Sequence, residues 1–261
     1  MPYTHHPEIP SPPADDTVIW QYLSVAELLD LLDSSAVHLT RADRLDDVPI
    51  DVERQVSLGF LSGAPAETVR RSFDLMYSVQ AAVFTSCWFG SGSSMHHRWE
   101  RLGGDKSQIA IRSTVKAFKA SVSSVPRKLY LSAVQYIDPA ALPIPTGNIF
   151  LPVLHKRHEL RDQKEVRLLT LQTGGQTVFS PGPREGIELP VDLRSMIQDI
   201  SLAPNSADWL HRLVQTLAER YRLTLDNNVA NPSVLAKEVC RFKSTNGCDS
   251  CKRSFVPLEA A

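Results

Sequence analysis

The residues best suited to chemistry stand in the run Lys164-Glu-Val-Arg-Leu-Leu-Thr-Leu171, where an acid and a guanidinium interrupt an apolar stretch. Side chains alternate along a strand, so Glu165, Arg167, Leu169 and Leu171 share one face while Val166, Leu168 and Thr170 share the other. Both faces read as covered, and charges in such a strand are costly unless they pair or meet a ligand. An ionised carboxylate can stabilise a developing cation, and a guanidinium fork grips an anion through paired hydrogen bonds. Two readings stay open: a ligand site, or a structural ion pair closing the end of a buried strand.

Elements able to position this pair are legible on both sides of it. Val18-Ile-Trp-Gln-Tyr-Leu23 reads as a strand, and Ser24 then caps a helix over Val25 to Leu32 with Glu27 at the capping-box position. Val37 to Arg41 forms a second strand, followed by the acidic turn Asp43 to Asp47, and a helix is expected over Ala66 to Val79, with Leu75, Met76 and Val79 at helical spacing. Ala81 to Phe89 has a buried-strand pattern that runs into the Gly90 to Ser94 loop, and a helical piece around Met95 to Leu102 carries Trp99. Strands are expected at Gln108 to Arg112 and Lys128 to Ile137, with a helix at Val115 to Val122 between them. A helix around Val153 to Arg161, a hairpin turn at Gly174-Gly175 and a short piece from Asp192 to Met196 follow. The last firm element is a helix from Ser206 to Tyr221 with Trp209, Leu213 and Leu217 at four-residue steps. Strands and helices mix without regular alternation or a glycine-rich phosphate loop, which implies an α+β fold with a mixed, mainly antiparallel sheet and flanking helices. The domain expectation is a loose arm over residues 1–16, a single domain over 17–235, and a cysteine-containing tail over 236–261.

A chain of 261 residues can bury a sizeable core, and its net charge of -1 gives no general attraction to nucleic acid or anionic membrane. No apolar run reaches the roughly 20 residues that span a bilayer, so a cytoplasmic protein without membrane partners is the default expectation. Cys87 lies in an apolar run, whereas Cys240, Cys248 and Cys251 cluster near the C-terminus with half the spacing of a zinc site. No metal is expected, because no fourth ligand follows them. His96 and His97 point about 100° apart on a helix and are poorly placed to share an ion. His155 and His158, three apart on an expected helix, lack further ligands.

Read in order, these pieces resemble a bacterial family catalogued only as a domain of unknown function, numbered 2971. The matching pieces are Trp20-Gln-Tyr22, the segment His38 to Asp47, Phe84-Thr-Ser-Cys87-Trp88, Ser94 to Trp99 before a Gly pair, Ile109 to Thr114, Val134 to Asp138, and Lys156 with Glu165-Val-Arg167. They extend over roughly residues 18 to 235. The chain departs from the family at His96-His97-Arg98, where a Met-Trp pair is usual, and at Leu102, Leu45 and Val48-Pro49-Ile50. The opening, an aromatic strand, a leucine-rich helix and a strand ending in Arg41, is also similar to that of ADP-ribosyltransferase-type folds.

That second resemblance implies NAD as the substrate, cleaved or transferred, in a toxin or antiviral defence effector acting on a protein or nucleic-acid acceptor. It implies catalytic roles for Glu165 and Arg41. Arg112, Ser113, Lys156 and Arg167 would hold the cofactor, with Trp88 or Trp99 stacking on a ring. Breaking the nicotinamide-ribose bond develops an oxocarbenium-like cation that an ionised Glu stabilises. Each residue has a plainer alternative: Trp88 and Trp99 as packing, Arg41 paired with its neighbouring aspartates, and Ser113 as a helix cap. Arg41, Arg112, Lys156 and Arg167 would equally serve a module that binds a nucleotide or phosphorylated ligand without chemistry. A nuclease would need Asp46, Asp47 and Glu53 to hold metal.

Overall fold

Alternation of apolar and polar residues sets the strands, and two polar side chains set the first helix between them. β1 (Val18–Leu23) leads into α1 (Val25–Ser34), which starts on a full capping box: the Glu27 N–H donates to Ser24 Oγ, and the Ser24 N–H donates to Glu27 Oε2. The structure is a computed structural model that describes residues 3–4, 6–45, 63, 65–90, 99, 109–138, 142, 148–171, 185–203 and 206–226. Next come β2 (Ala36–Arg41), α2 (Ala66–Gln80), β3 (Val83–Gly90), β4 (Ile109–Thr114) and α3 (Val115–Ser121). They are followed by β5 (Tyr130–Ala133), β6 (Gln135–Ile137), β7 (His155–Arg157) and β8 (Glu165–Leu171). The described part closes with β9 (Gly186–Pro190), α4 (Leu193–Met196), β10 (Asp199–Leu202) and α5 (Asp208–Tyr221).

Eight strands form one sheet whose pairs are all antiparallel, and β6 pairs in parallel with β7 apart from it. The fold is α+β with a mainly antiparallel sheet, as its composition of elements implied. β3 is its pivot. One edge of β3 pairs with β8 along its whole length, from Val83 opposite Leu171 to Phe89 opposite Glu165. The other edge is shared, with β1 reaching Phe89 and Gly90 and β2 reaching only Phe84 and Thr85. β1 and β2 diverge between these two pairings, and the sheet opens there into a notch.

The two faces of the sheet differ in chemistry. One face carries Ile19, Leu39, Phe84, Trp88, Ile111, Val166 and Leu168 into a core closed by α1, α3, α4 and α5. Helix α5 contributes Leu210, Val214 and Leu217, whereas Trp209 is 51% exposed. Of the expected stripe, Leu217 is buried and Leu213 packs against the core, and Trp209 alone falls outside it, its place taken by Leu210. The opposite face is divided between a cluster around Val83, Phe150, Val153, Leu154 and Leu169 and another around Trp20, Trp99, Ala110 and Ala203.

Three further expectations change. Val153 to Arg161 is not a helix: a short 3-10 turn at Pro152–Leu154, the strand β7 and a second 3-10 turn at His158–Gln163 occupy it, and β7 takes β6 as its partner. The expected strand over Lys128 to Ile137 breaks at Val134, whose N–H donates to the Glu165 carbonyl. The segment expected as a loose arm lies against β5: Tyr3 bridges Leu129, Ile9 is buried, and Ser132 Oγ donates to the Pro10 carbonyl. The Gly174-Gly175 turn, His96, His97 and the C-terminal cysteines lie outside the described residues.

Candidate functional site

β8 begins abruptly because Lys164 adopts a left-handed backbone (φ 43°), which turns the chain out of the preceding 3-10 turn. Gly90 lies against that corner. A Cβ at Gly90 would stand 2.6 Å from the Lys164 carbonyl oxygen, so only glycine lets the two strands meet there. The corner delivers Glu165 to the interior with 1% of its surface exposed, beside Arg167 at 0% and Lys156 at 4%. Arg167 Nε donates to Glu165 Oε1 at 2.6 Å, and Lys156 Nζ donates to Oε2 at 2.7 Å and to Gln163 Oε1 at 2.8 Å. The Glu165 N–H donates to the Tyr136 hydroxyl, and Arg167 Nη1 donates to the Val153 carbonyl. Burial alone would raise the Glu165 carboxyl, but the Arg167 and Lys156 charges outweigh it and hold the group below its ordinary value. The acid is therefore ionised at neutral pH.

Register then places the other candidates. Glu165 stands opposite Phe89, Phe89 opposite Trp20, Trp20 opposite Arg112, and Arg112 opposite Asp199. Directly opposed residues of antiparallel strands share a face, so Glu165 and Arg112 lie on one side of the sheet with two aromatic residues between them. Three strand spacings separate them, about 14 Å. Trp99 belongs to the same side, its ring 5.0 Å from that of Tyr22, which is in turn 5.6 Å from Phe89. Arg112 Nη1 donates to Asp199 Oδ2 at 2.8 Å, and its side chain is 37% exposed.

Other expected residues fall elsewhere. Arg41 stands opposite Phe84 and so lies on the core face, with Nε donating to Asp43 Oδ1 at 2.6 Å. Trp88 is fully buried on that face, its ring 4.6 Å from that of Phe118, and is packing rather than a stacking platform. Ser113 stands opposite Ile19 and is fully buried, with Oγ donating to the Thr114 carbonyl. The cap of α3 is Thr114, whose Oγ1 accepts from the Ala117 N–H. His155 is buried on β7 and His158 lies in the following turn, so they share no helix face.

The notch between β1 and β2 is a cleft of about 600 Å³, lined from β3 by Thr85, Ser86, Cys87 and Phe89, from β1 by Gln21 and Tyr22, and from β2 by His38 and Thr40. Two of these wall residues are the direct cross-strand neighbours of the buried acid and its guanidinium: Phe89 of Glu165, and Cys87 of Arg167. The charged side chains in the described lining are the α1 carboxylates Glu27 and Asp30, with no Lys or Arg among them. Thr85 is 2% exposed, and its Oγ1 has no hydrogen-bond partner. Sequence reasoning missed Phe89, Tyr22, His38 and Thr85. The alternation of His38 and Thr40 against Arg41 was visible, but which face met the acid depended on the register with β3.

Among the described residues no group of three His, Cys, Asp or Glu side chains could hold a metal ion, and no helix is long and apolar enough to cross a membrane. Asp46, Asp47 and Glu53 lie outside them. No protein-family model matches the chain, and no curated protein matches it significantly, so the resemblance to family 2971 rests on the quoted residues alone. Two solved structures are similar over most of its length, those of Thermus sp. 2.9 DarT in complex with ADP-ribosylated ssDNA and in complex with NAD+. Each is 10% identical with a TM-score of 0.36; the first covers 83% of this chain and 96% of that one, the second 84% and 99%. At that level the ligands of DarT remain properties of DarT.

Proposed function

We propose that the protein binds a nucleotide cofactor, NAD, across the Glu165 face of the sheet and cleaves or transfers from it in the manner of an ADP-ribosyltransferase. The observation that carries this reading is the row from Glu165 through Phe89 and Trp20 to Arg112, with the cleft opening beside Phe89. It offers an ionised acid and a solvent-reaching guanidinium on one face, separated by aromatic residues. The charges suggest an orientation. The positively charged nicotinamide end suits a cleft edged by Glu27 and Asp30, and the pyrophosphate suits Arg112, which would exchange Asp199 for it. Glu165 would stabilise the cation that develops as the nicotinamide-ribose bond breaks. Two bonded cations do not exhaust the acceptor sites of a carboxylate, so a ribose hydroxyl can still donate to it.

A second reading is favoured by the burial of Glu165 and the engagement of both its oxygens: a module that binds the nucleotide without chemistry. Thermal unfolding with NAD and with ADP-ribose, followed by chromatography of the products, separates the two. Stabilisation by NAD with release of nicotinamide is the expected result. Stabilisation without product assigns the binding module, and no stabilisation by either compound removes the nucleotide reading.

A further inference from the structure

Glu165 is 1% exposed, so a ligand can reach its carboxylate only if the residues over it move. One stretch, Asn148 to Gln163, supplies much of that cover. Lys156 of β7 donates to Glu165, Gln163 accepts from Lys156, and the Val153 carbonyl accepts from Arg167. The same stretch is gripped by the N-terminal arm. Ile9 is buried in one cluster with Phe150, Val153 and Leu154, Asn148 Nδ2 donates to Glu8 Oε2 at 2.9 Å, and the His6 ring stands edge-on to Phe150 at 6.2 Å. The arm is anchored in turn beside the edge of the main sheet: the Thr4 N–H donates to the Leu129 carbonyl, and Ser132 Oγ of β5 donates to the Pro10 carbonyl. Its hold on the cover combines one buried apolar side chain with polar contacts near the surface, where water can replace them, and segments held in this way open before the core does.

We propose that the arm from His6 to Pro10 is an autoinhibitory strap: it pins the Asn148 to Gln163 cover over Glu165, and its release uncovers the acid. With the strap seated, Ile9 fills the apolar underside of the cover and Glu8 fixes Asn148, whose Oδ1 accepts from the Phe150 N–H and so shapes the start of the cover. With the strap gone, Phe150, Val153 and Leu154 lose an apolar neighbour, and Lys156 can leave Glu165 together with β7. Arg167 stays beside the acid, because it stands on the same strand two residues away. The uncovered carboxylate is then charged and open to a ligand on one side. That the opened site turns over NAD rests on the preceding functional reading; the coupling of strap to cover does not.

The test loosens the strap in the full chain with Ile9→Ala, and more gently with Glu8→Ala, which leaves the apolar cluster intact. Uncovering is read by brief acetylation with acetic anhydride, comparing buried Lys156 with exposed Lys116 by mass spectrometry. In Ile9→Ala the Lys156 to Lys116 labelling ratio should rise about tenfold while amide exchange in β4 is unchanged, and nicotinamide release from NAD should rise with it. Glu8→Ala should move both in the same direction by a smaller factor. An unchanged labelling ratio in both variants, or a rise in labelling only together with faster exchange in β4, overturns the proposal. Nicotinamide release that falls as Lys156 labelling rises makes the strap a structural support and also overturns it. Raised labelling with no nicotinamide released by any form of the protein upholds the strap and removes the NAD-cleaving reading.

Discussion

The two faces of one sheet have opposite contents. The same strands that send Trp88, Phe84 and Leu168 into an apolar core send Phe89, Glu165 and Arg112 to the other side. On the core face one large apolar cluster dominates. On the other, two smaller apolar clusters flank charged groups that are held unevenly: Glu165 is enclosed by two cations, whereas the pair of Arg112 with Asp199 reaches solvent. This face thus combines a buried, ionised acid with a guanidinium that reaches solvent.

The sharpest way to break that contrast is to neutralise the enclosed acid. Glu165→Gln strands Lys156 and Arg167 in a buried site and should cost about 3–5 kcal/mol of stability, measured by urea unfolding. Adding Lys156→Met should recover part of that loss; no recovery would mean the cations are not balanced by Glu165. Gly90→Ala comes next. The new Cβ meets the Lys164 backbone carbonyl, which cannot swing aside as a side chain would, so a loss of about 1–3 kcal/mol is expected. An unchanged midpoint would show that the corner before Glu165 is not tight.

Acid sharpens the same comparison. Glu165 titrates below its ordinary value of about 4.3, so its contribution is complete above that pH and is lost as pH falls through the lowered value. For His155, burial lowers the imidazole more than its bond to the Leu151 carbonyl raises it. Its stabilisation is therefore full above the ordinary value of about 6.5 and declines below it. Thermal midpoints should fall first below about pH 6.5 and again below about pH 4.3. A midpoint flat down to about pH 4 would contradict the His155 assignment. The smallest effect on stability belongs to Arg112→Ala, about 1 kcal/mol or less, because its pair reaches solvent. The same variant should weaken NAD binding at least tenfold by calorimetry; equal affinity would take Arg112 out of the site.

Much of this architecture was legible in residue order. The Ser24 and Glu27 capping box located α1, and apolar runs located β3 and β8, because those signals are local. What failed depended on neighbours. Trp209 and Leu210 both fit a helical stripe, and only packing selects Leu210. His155 to Arg157 became a strand because β6 lay beside it. The candidate face was hidden for the same reason. Arg41 and Arg112 look alike in sequence, and register with β3 and β1 assigns them to opposite faces.

The most direct test is nicotinamide release from NAD by the wild-type chain and by Glu165→Gln, assayed where both are shown to be folded by circular dichroism. The account expects release by the wild type and a fall of about a hundred- to a thousandfold in the variant. Equal turnover by the two, or release by neither under conditions where NAD binds, would contradict it.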